Sequence, residues 1–456
     1  MSVYAVLLSL TLAACSAAPA PSSAPAPPSA PAQPAAPAER GGAPETATAP
    51  PSAPAPEAAP STAGTTTGAQ RLVDTRFEAL DGMRVGLVTN HTARVATADG
   101  GPEHLIDRLH AAPNVVLGAL FGPEHGLRGT AEAGAAVAGG RDPGTGVPVH
   151  SLYGSAKKPS QAQLRGLDAL VFDMQDIGAR FYTYISTMAY AMEAAAEAGI
   201  PFVVLDRPNP IGGRAEGPIL DPAHASFVGL LPIPVTHGLT VGELARMIVG
   251  EGMRPGVAGL DLRVVELEGW TRETPWEATG LDWVAPSPNI PDVATARVYP
   301  GAALFEGTTA SEGRGTRTPF VLVGGLGVDP EALAAELNGR GLGGVRAEPA
   351  TFVPEDLPGQ AMDPKGEGQR LGGVRLVVTD PSALAPVALG VHLVDAVYRA
   401  VPARGAFFKA DWMAKLTGST ALVATLRGGG SPDALLADWA DQAAAFEARR
   451  APYLLY

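Results

Sequence analysis

The sequence predicts an α/β protein: an open, doubly wound parallel sheet followed by a smaller C-terminal α+β unit. Three observations carry this. Short apolar runs recur between helical stretches. The runs are continuous rather than alternating, as strands covered on both faces are. Past about residue 300 the alternation gives way to one clear strand and two longer helices.

Arg84 to Thr89 reads as the first strand, and Pro102 to Ala111 as a helix with His104, Asp107 and Arg108 outward and Leu105, Ile106 and Leu109 inward. Val115 to Phe121 is the second strand and Asp168 to Asp173 the third. An Ala-rich helix from Thr187 stops at Gly199, and Pro201 to Asp206 is the fourth strand. Val374 to Thr379 is a strand of the second unit, with helices at Pro386 to Ala400 and Pro432 to Arg449. The division expected is 1–15, 16–68, 69–300 and 301–456.

The first two segments are not part of either unit. Residues 3 to 15 form an apolar run too short to span a bilayer but suited to the h-region of a signal peptide. Leu12-Ala13-Ala14-Cys15 resembles a bacterial lipobox, which would make Cys15 a lipidated first residue, although residues 2 to 5 carry no Lys or Arg. Ser16 to Gly68 holds 14 prolines among Ala, Ser, Thr and Gly and reads as an extended, disordered tether. The expected location is the cell envelope, membrane-anchored, on the periplasmic side or the cell surface.

With 33 Lys+Arg against 46 Asp+Glu the net charge is −13, which argues against a nucleic-acid partner. A single cysteine excludes a disulfide framework and a Cys-based zinc site.

In open α/β sheets ligands bind beyond the carboxyl ends of the strands. Three post-strand segments there gather polar side chains among Gly and Pro: Gly122-Pro-Glu-His-Gly-Leu-Arg-Gly129, Asp173-Met-Gln-Asp-Ile-Gly-Ala-Arg-Phe-Tyr-Thr-Tyr184 and Asp206-Arg-Pro-Asn-Pro-Ile-Gly-Gly213. After the first strand stands Leu87-Val-Thr-Asn-His-Thr92 in place of Gly-x-Gly-x-x-Gly, so a dinucleotide site is disfavoured.

These segments, with His237-Gly-Leu-Thr-Val-Gly-Glu-Leu-Ala245, Tyr299-Pro-Gly, Leu304-Phe-Glu-Gly-Thr308, Ser311-Glu-Gly-Arg-Gly-Thr316 and Tyr453-Leu-Leu-Tyr456, resemble the exo-β-N-acetylmuramidase family (NamZ-like, formerly a domain of unknown function). The resemblance runs from about residue 72 to 456. It implies a Rossmann-like catalytic domain and an auxiliary domain that closes the cleft. The activity implied is release of N-acetylmuramic acid from non-reducing ends of peptidoglycan fragments in cell-wall recycling.

Glycosidic cleavage usually needs one protonated and one ionised carboxyl group. Glu124, constrained between Pro123 and the imidazole of His125, is the first candidate, with an N-cap or surface acid as the alternative. Asp176 follows, with a helix N-cap as its alternative. Glu312 is expected to complete a pair from the second half, the alternative being an ion pair with Arg314. Asp173 and Gln175 are expected to hold hydroxyl or acetamido groups. The lactyl carboxylate of muramic acid calls for a guanidinium from the set Arg128, Arg180, Arg207 and Arg314. Tyr182 and Tyr184 are expected to stack on the sugar, one of them packing in the core because alternate residues of an extended segment face opposite ways. Asn90, Asn209 and His237 complete the binding set.

His91, His125 and His237 lie in loops without metal-ligand spacing, so no metal or other cofactor is expected. The partners expected are peptidoglycan-derived disaccharides or muropeptides and, through Cys15, a membrane. Two rivals remain: a non-catalytic wall-binding lipoprotein, and a metal-dependent amidase or phosphatase on the same fold.

Overall fold

A computed structural model of the chain describes residues 64–97, 100–123, 127, 140–154 and 156–456. Cys15, most of the expected tether, Glu124, His125 and Arg128 lie outside the described residues.

The strands of the first half are β1 (Arg84–Thr89), β2 (Val116–Gly122), β3 (Gly140–Arg141), β4 (Pro148–Ser151), β5 (Ala169–Asp173), β6 (Phe202–Leu205) and β7 (Leu262–Val265). They form one sheet in the order β3-β4-β2-β1-β5-β6-β7, parallel throughout except for the short edge pair β3·β4. The six parallel strands follow the doubly wound dinucleotide-fold order, so the winding reverses between β1 and β5. That reversal opens a crevice at the carboxyl ends of β1 and β5.

Both faces of the sheet are covered. Val85, Leu87, Val171, Val203 and Leu205 pack towards the helices Gly68–Asp74 and Leu105–Ala111. Val88, Phe121, Leu170, Phe172, Phe202 and Val204 pack towards Tyr184–Ala198 and Val241–Gly250. Each large side chain buried this way contributes ~1.5–3 kcal/mol. This two-sided burial is why the strands read as continuous apolar runs.

In the second half β8 (Leu322–Gly325), β9 (Val345–Phe352) and β10 (Leu371–Val378) form an antiparallel sheet in the order β8-β10-β9. The helices Pro330–Gly339, Pro386–Ala400 and Pro432–Arg450 accompany it.

Three expectations need correction. The 102–111 segment is a strand, Pro102–His104, paired with Arg94–Ala96, before the helix Leu105–Ala111 begins. His104 is buried rather than outward: its Nδ1 caps the helix by accepting from Ile106 N, and its Nε2 donates to the Asn90 carbonyl at 2.9 Å. Residues at the end of the expected tether belong to the fold, since Thr65 N bonds Thr279 O and Gly68 N bonds Asp206 O.

The helix Val293–Ala302 runs straight across the position near 300 where the two halves were expected to part. Its Gly301 lies backbone to backbone on Gly390 of the Pro386–Ala400 helix; a Cβ on Gly390 would stand 2.4 Å from Gly301 Cα.

Candidate active site

The carboxyl ends of β1, β5 and β6 are tied to one another by side chains from the motif loops. Thr89 Oγ1 donates to the Asp173 carbonyl at 2.9 Å. Thr92 Oγ1 donates to Asn90 Oδ1 at 2.6 Å and accepts from Gln175 N at 2.9 Å. From the β6 side, Arg207 clasps Asp173 through Nε and Nη2, the second contact at 3.1 Å. Gln175 Nε2 donates to the carbonyls of Asp176 and Pro208 at 2.8 and 2.9 Å. Asn209 Nδ2 donates to Leu239 O, and its side chain lies against Gly178, where an added Cβ would meet Asn209 Oδ1 at 2.4 Å. Gly178 has φ +80°, so both its backbone and its surroundings demand glycine.

Asp176 is buried with no cation paired to it among the described residues. Its Oδ2 accepts from Gly178 N at 2.7 Å, while Oδ1 has no partner among the described residues. Loss of hydration pushes its pKa up to about 7, against the pull of the Gly178 and Ile177 amides. A carboxyl pushed up towards neutrality, with one oxygen unpartnered among the described residues, has the chemistry that proton donation to a leaving group needs. Asn90 Nδ2 and His91 Nδ1, beyond the neighbouring strand, are likewise buried and unpartnered among the described residues. Because His91 Nε2 donates to Ala285 O at 2.7 Å, its Nδ1 is left as an acceptor. His237 is the converse: Nδ1 accepts from Leu239 N, so Nε2 carries the proton. Burial, with Arg450 and Arg180 nearby, drives the His237 pKa down to about 3 and keeps the ring neutral.

Aromatic side chains lead from Asp176 to the second half. Asp176 and Tyr184 both act on the buried Tyr182 hydroxyl, whose pKa burial drives well above its ordinary value. The Tyr182 ring meets Tyr184 at 4.9 Å and Tyr299 at 5.9 Å, both edge-on, and Tyr299 meets Phe320 at 4.7 Å. Arg314 lies over Phe320 and bonds Glu306 at 2.9 Å. Burial opposes its charge, but Glu306 and Glu312 hold its pKa above the ordinary value. Glu312 is buried with Lys365 Nζ at 2.7 Å and Arg314 Nε at 3.7 Å. The ion pair weighed for Glu312 is therefore present, and the closer cation is Lys365, which sequence reasoning missed. Asp363-Pro-Lys-Gly366 has no motif character; only the fold brings that lysine to Glu312.

The arginines sort sharply. Arg180 is fully buried, its Nη1 on the carbonyls of Pro218 and Ile233 and its Nη2 on Leu416 O, and burial lowers its pKa to about 9. Arg180 thus braces backbone and has no open face for a lactyl carboxylate. Arg207 is occupied by Asp173, engaging both oxygens of its buried carboxylate. Tyr182 and Tyr184 are both buried, because the segment is not extended there: Tyr184 opens a helix and its hydroxyl donates to Pro286 O at 2.6 Å. The expected outward stacking of one of them is not what the fold has.

The profile of the family described as "Exo-beta-N-acetylmuramidase NamZ, N-terminal" matches residues 85–294, and its C-terminal counterpart matches residues 297–456. The chain belongs to this family. It is 42% identical over 391 residues to the peptidoglycan beta-N-acetylmuramidase NamZ of Bacillus subtilis (strain 168), covering 86% of this chain and 91% of that protein. Two crystal structures of DUF1343 family proteins from Bacteroides fragilis NCTC 9343 are similar to it. One is 36% identical with a TM-score of 0.78 and the other 34% identical with 0.71; each match covers 86% of this chain and 99% of the other. In this NamZ-family chain Asp176 stands three residues past the carboxyl end of β5, beside the point where the winding of the sheet reverses.

Proposed function

We propose that this chain is an exo-acting β-N-acetylmuramidase that releases N-acetylmuramic acid from non-reducing ends of peptidoglycan fragments in cell-wall turnover. One observation carries the reading: in a chain 42% identical to a peptidoglycan β-N-acetylmuramidase, Asp176 sits at the sheet crevice as a buried carboxyl pushed up to about 7, with one oxygen unpartnered among the described residues. As the bond between the anomeric carbon and the leaving oxygen breaks, Asp176 gives its proton to that oxygen. Glu124, two residues past the end of β2, is the second carboxylate, acting on the anomeric carbon directly or through water. Neutral His237 and Asn90 offer N–H donors to the sugar's hydroxyl or acetamido oxygens. With Arg180 and Arg207 occupied and Arg314 paired with Glu306 and Glu312, Arg128 is the guanidinium of the set left for the lactyl carboxylate.

The lipobox-like Leu12-Ala13-Ala14-Cys15 supports lipidation at Cys15 and hence work at the cell envelope. Loss of a fatty-acid label in Cys15→Ala tests this.

The activity is tested with a chromogenic β-N-acetylmuramide beside the matching glucosaminide, using residues 64–456, a chelator control, Asp176→Asn and Glu124→Gln. Release from the muramide alone, indifferent to chelator and lost in both variants, is expected. Tight muropeptide binding with no release from either sugar overturns the hydrolase reading in favour of a wall-binding protein.

A further inference from the structure

The segment around Tyr456 reaches across from the second half to the loops at the sheet's carboxyl edge. Arg450 donates from Nη1 to the His237 carbonyl at 2.6 Å and from Nη2 to the Gly213 carbonyl at 2.7 Å. Arg246 Nη1 donates to the carbonyls of Tyr453 and Leu454, and Leu455 N donates to Glu243 Oε1 at 2.8 Å. Tyr456 stands edge-on to Trp270, accepts from Leu267 N at 2.7 Å and donates its own proton to Asp206 Oδ2 at 2.8 Å.

Asp206 has zero exposure and, among the described residues, no cation on its carboxylate; four hydrogen-bond donors hold it instead. Tyr456 and Thr240 Oγ1 meet Oδ2, while Gly242 N and Arg207 N meet Oδ1. The next residues are those that grip the neighbouring loop: Arg207 clasps Asp173, and the Pro208 carbonyl receives Gln175 Nε2. Tyr456 is thus joined to the segment bearing Asp176 by an unbroken set of hydrogen bonds through Asp206 and the 206–208 backbone.

We propose that Tyr456 is a positioning residue of the active site: its hydroxyl holds Asp206, Asp206 fixes the 206–209 loop, and that loop sets the segment carrying Asp176. Only the kinetic consequence rests on the muramidase reading; the positioning itself does not. The groups facing this pair are Glu243, itself paired with Arg272, Glu266 near the Tyr456 hydroxyl, and Arg207, whose guanidinium is turned to Asp173. Burial raises the Asp206 pKa to about 6, and the Tyr456 hydrogen bond is one of the contacts opposing that rise. Without the phenol Asp206 takes a proton at higher pH, and a protonated acid cannot accept from all of its donors.

Tyr456→Phe removes the hydroxyl alone. Amide hydrogen exchange at 206–209 and 173–178 is expected to quicken by about 5- to 10-fold, the equivalent of one lost hydrogen bond. In muramide hydrolysis kcat is expected to fall with KM little changed, and the acid limb of kcat/KM to move to higher pH. Exchange in both segments and a pH profile that superimpose on the parent's overturn the proposal. If Tyr456→Phe does not fold, the parent decides: opening of 206–209 hydrates Asp206 and returns its carboxyl towards the ordinary pKa, so exchange there, corrected for intrinsic rate, must slow as pH falls through about 6, and a flat response overturns the proposal. A parent that hydrolyses neither sugar removes the muramidase reading, while the exchange measurement still decides the positioning role.

Discussion

The two halves of the molecule bury carboxyl groups in opposite ways. In the second half Glu312 is buried between Lys365 and Arg314, with Glu306 sharing the arginine. At the sheet crevice of the first half Asp176 is buried with backbone amides and no cation among the described residues. Cations offset the cost of burying a carboxylate, whereas desolvation alone pushes a carboxyl's pKa up, here to about 7 for Asp176. Asp173 shows the same contrast within one loop: three residues before Asp176, it is clasped by Arg207. The difference between a clasped carboxyl and one left to desolvation lies in its neighbours, not in its residue type.

The sharpest way to break this comparison is Asp176→Asn. It keeps the shape of a group that is already neutral, so thermal stability should change little while kcat falls by roughly 10²- to 10⁴-fold, the usual worth of general acid catalysis. Retained turnover would deny Asp176 its role. Arg207→Ala attacks the clasped acid instead and leaves Asp173 buried without its partner, which should cost ~3–5 kcal/mol in urea unfolding. A loss below ~1 kcal/mol would mean that Asp173 finds water or another donor.

The pH dependence of stability sharpens the contrast. Burial raises Asp176 to about 7, Asp206 to about 6 and Glu216 to about 7, all above their unfolded values. The native chain therefore holds protons that the unfolded chain has released between pH ~4 and ~7. The stability these groups confer is fully present below pH ~4 and is lost as pH rises through about 7. Urea midpoints at about pH 5 and about pH 8 should show this fall, with Asp176→Asn reducing it; equal slopes in parent and variant would contradict the assignment. The smallest effect is that of Gly178→Ala, where positive φ and the Asn209 side chain oppose a Cβ, at about 1–3 kcal/mol.

The strands and the loops that follow them were legible in the sequence because both depend on local pattern: continuous apolar runs, then Gly and Pro among polar residues. Asp176 stood out for the same reason. The order of the strands was not legible, since parallel neighbours are joined by crossovers that no local pattern encodes. Nor was the fate of the arginines. Arg180 is satisfied by Leu416 O, 236 residues away, and nothing near residue 180 foretells that carbonyl. His104 misled because its polar neighbours suggest an outward face, yet its ring is needed inside to cap one backbone group and tie another. Lys365 and Tyr456 act on acids far off in sequence and became visible only in three dimensions.

The helix Val293–Ala302 bears on how such a protein can be inherited. The two family profiles meet between residues 294 and 297, inside that helix. A recombination breakpoint there would sever a helix whose far end is pressed, through Gly301, onto the bare backbone of Gly390. A shuffled partner would have to present glycine at the same place to be received, because any side chain there would collide with main chain. The join between the profiles is a poor site for exchange, and the geometry of one crossing favours passing the two halves down as a single cassette.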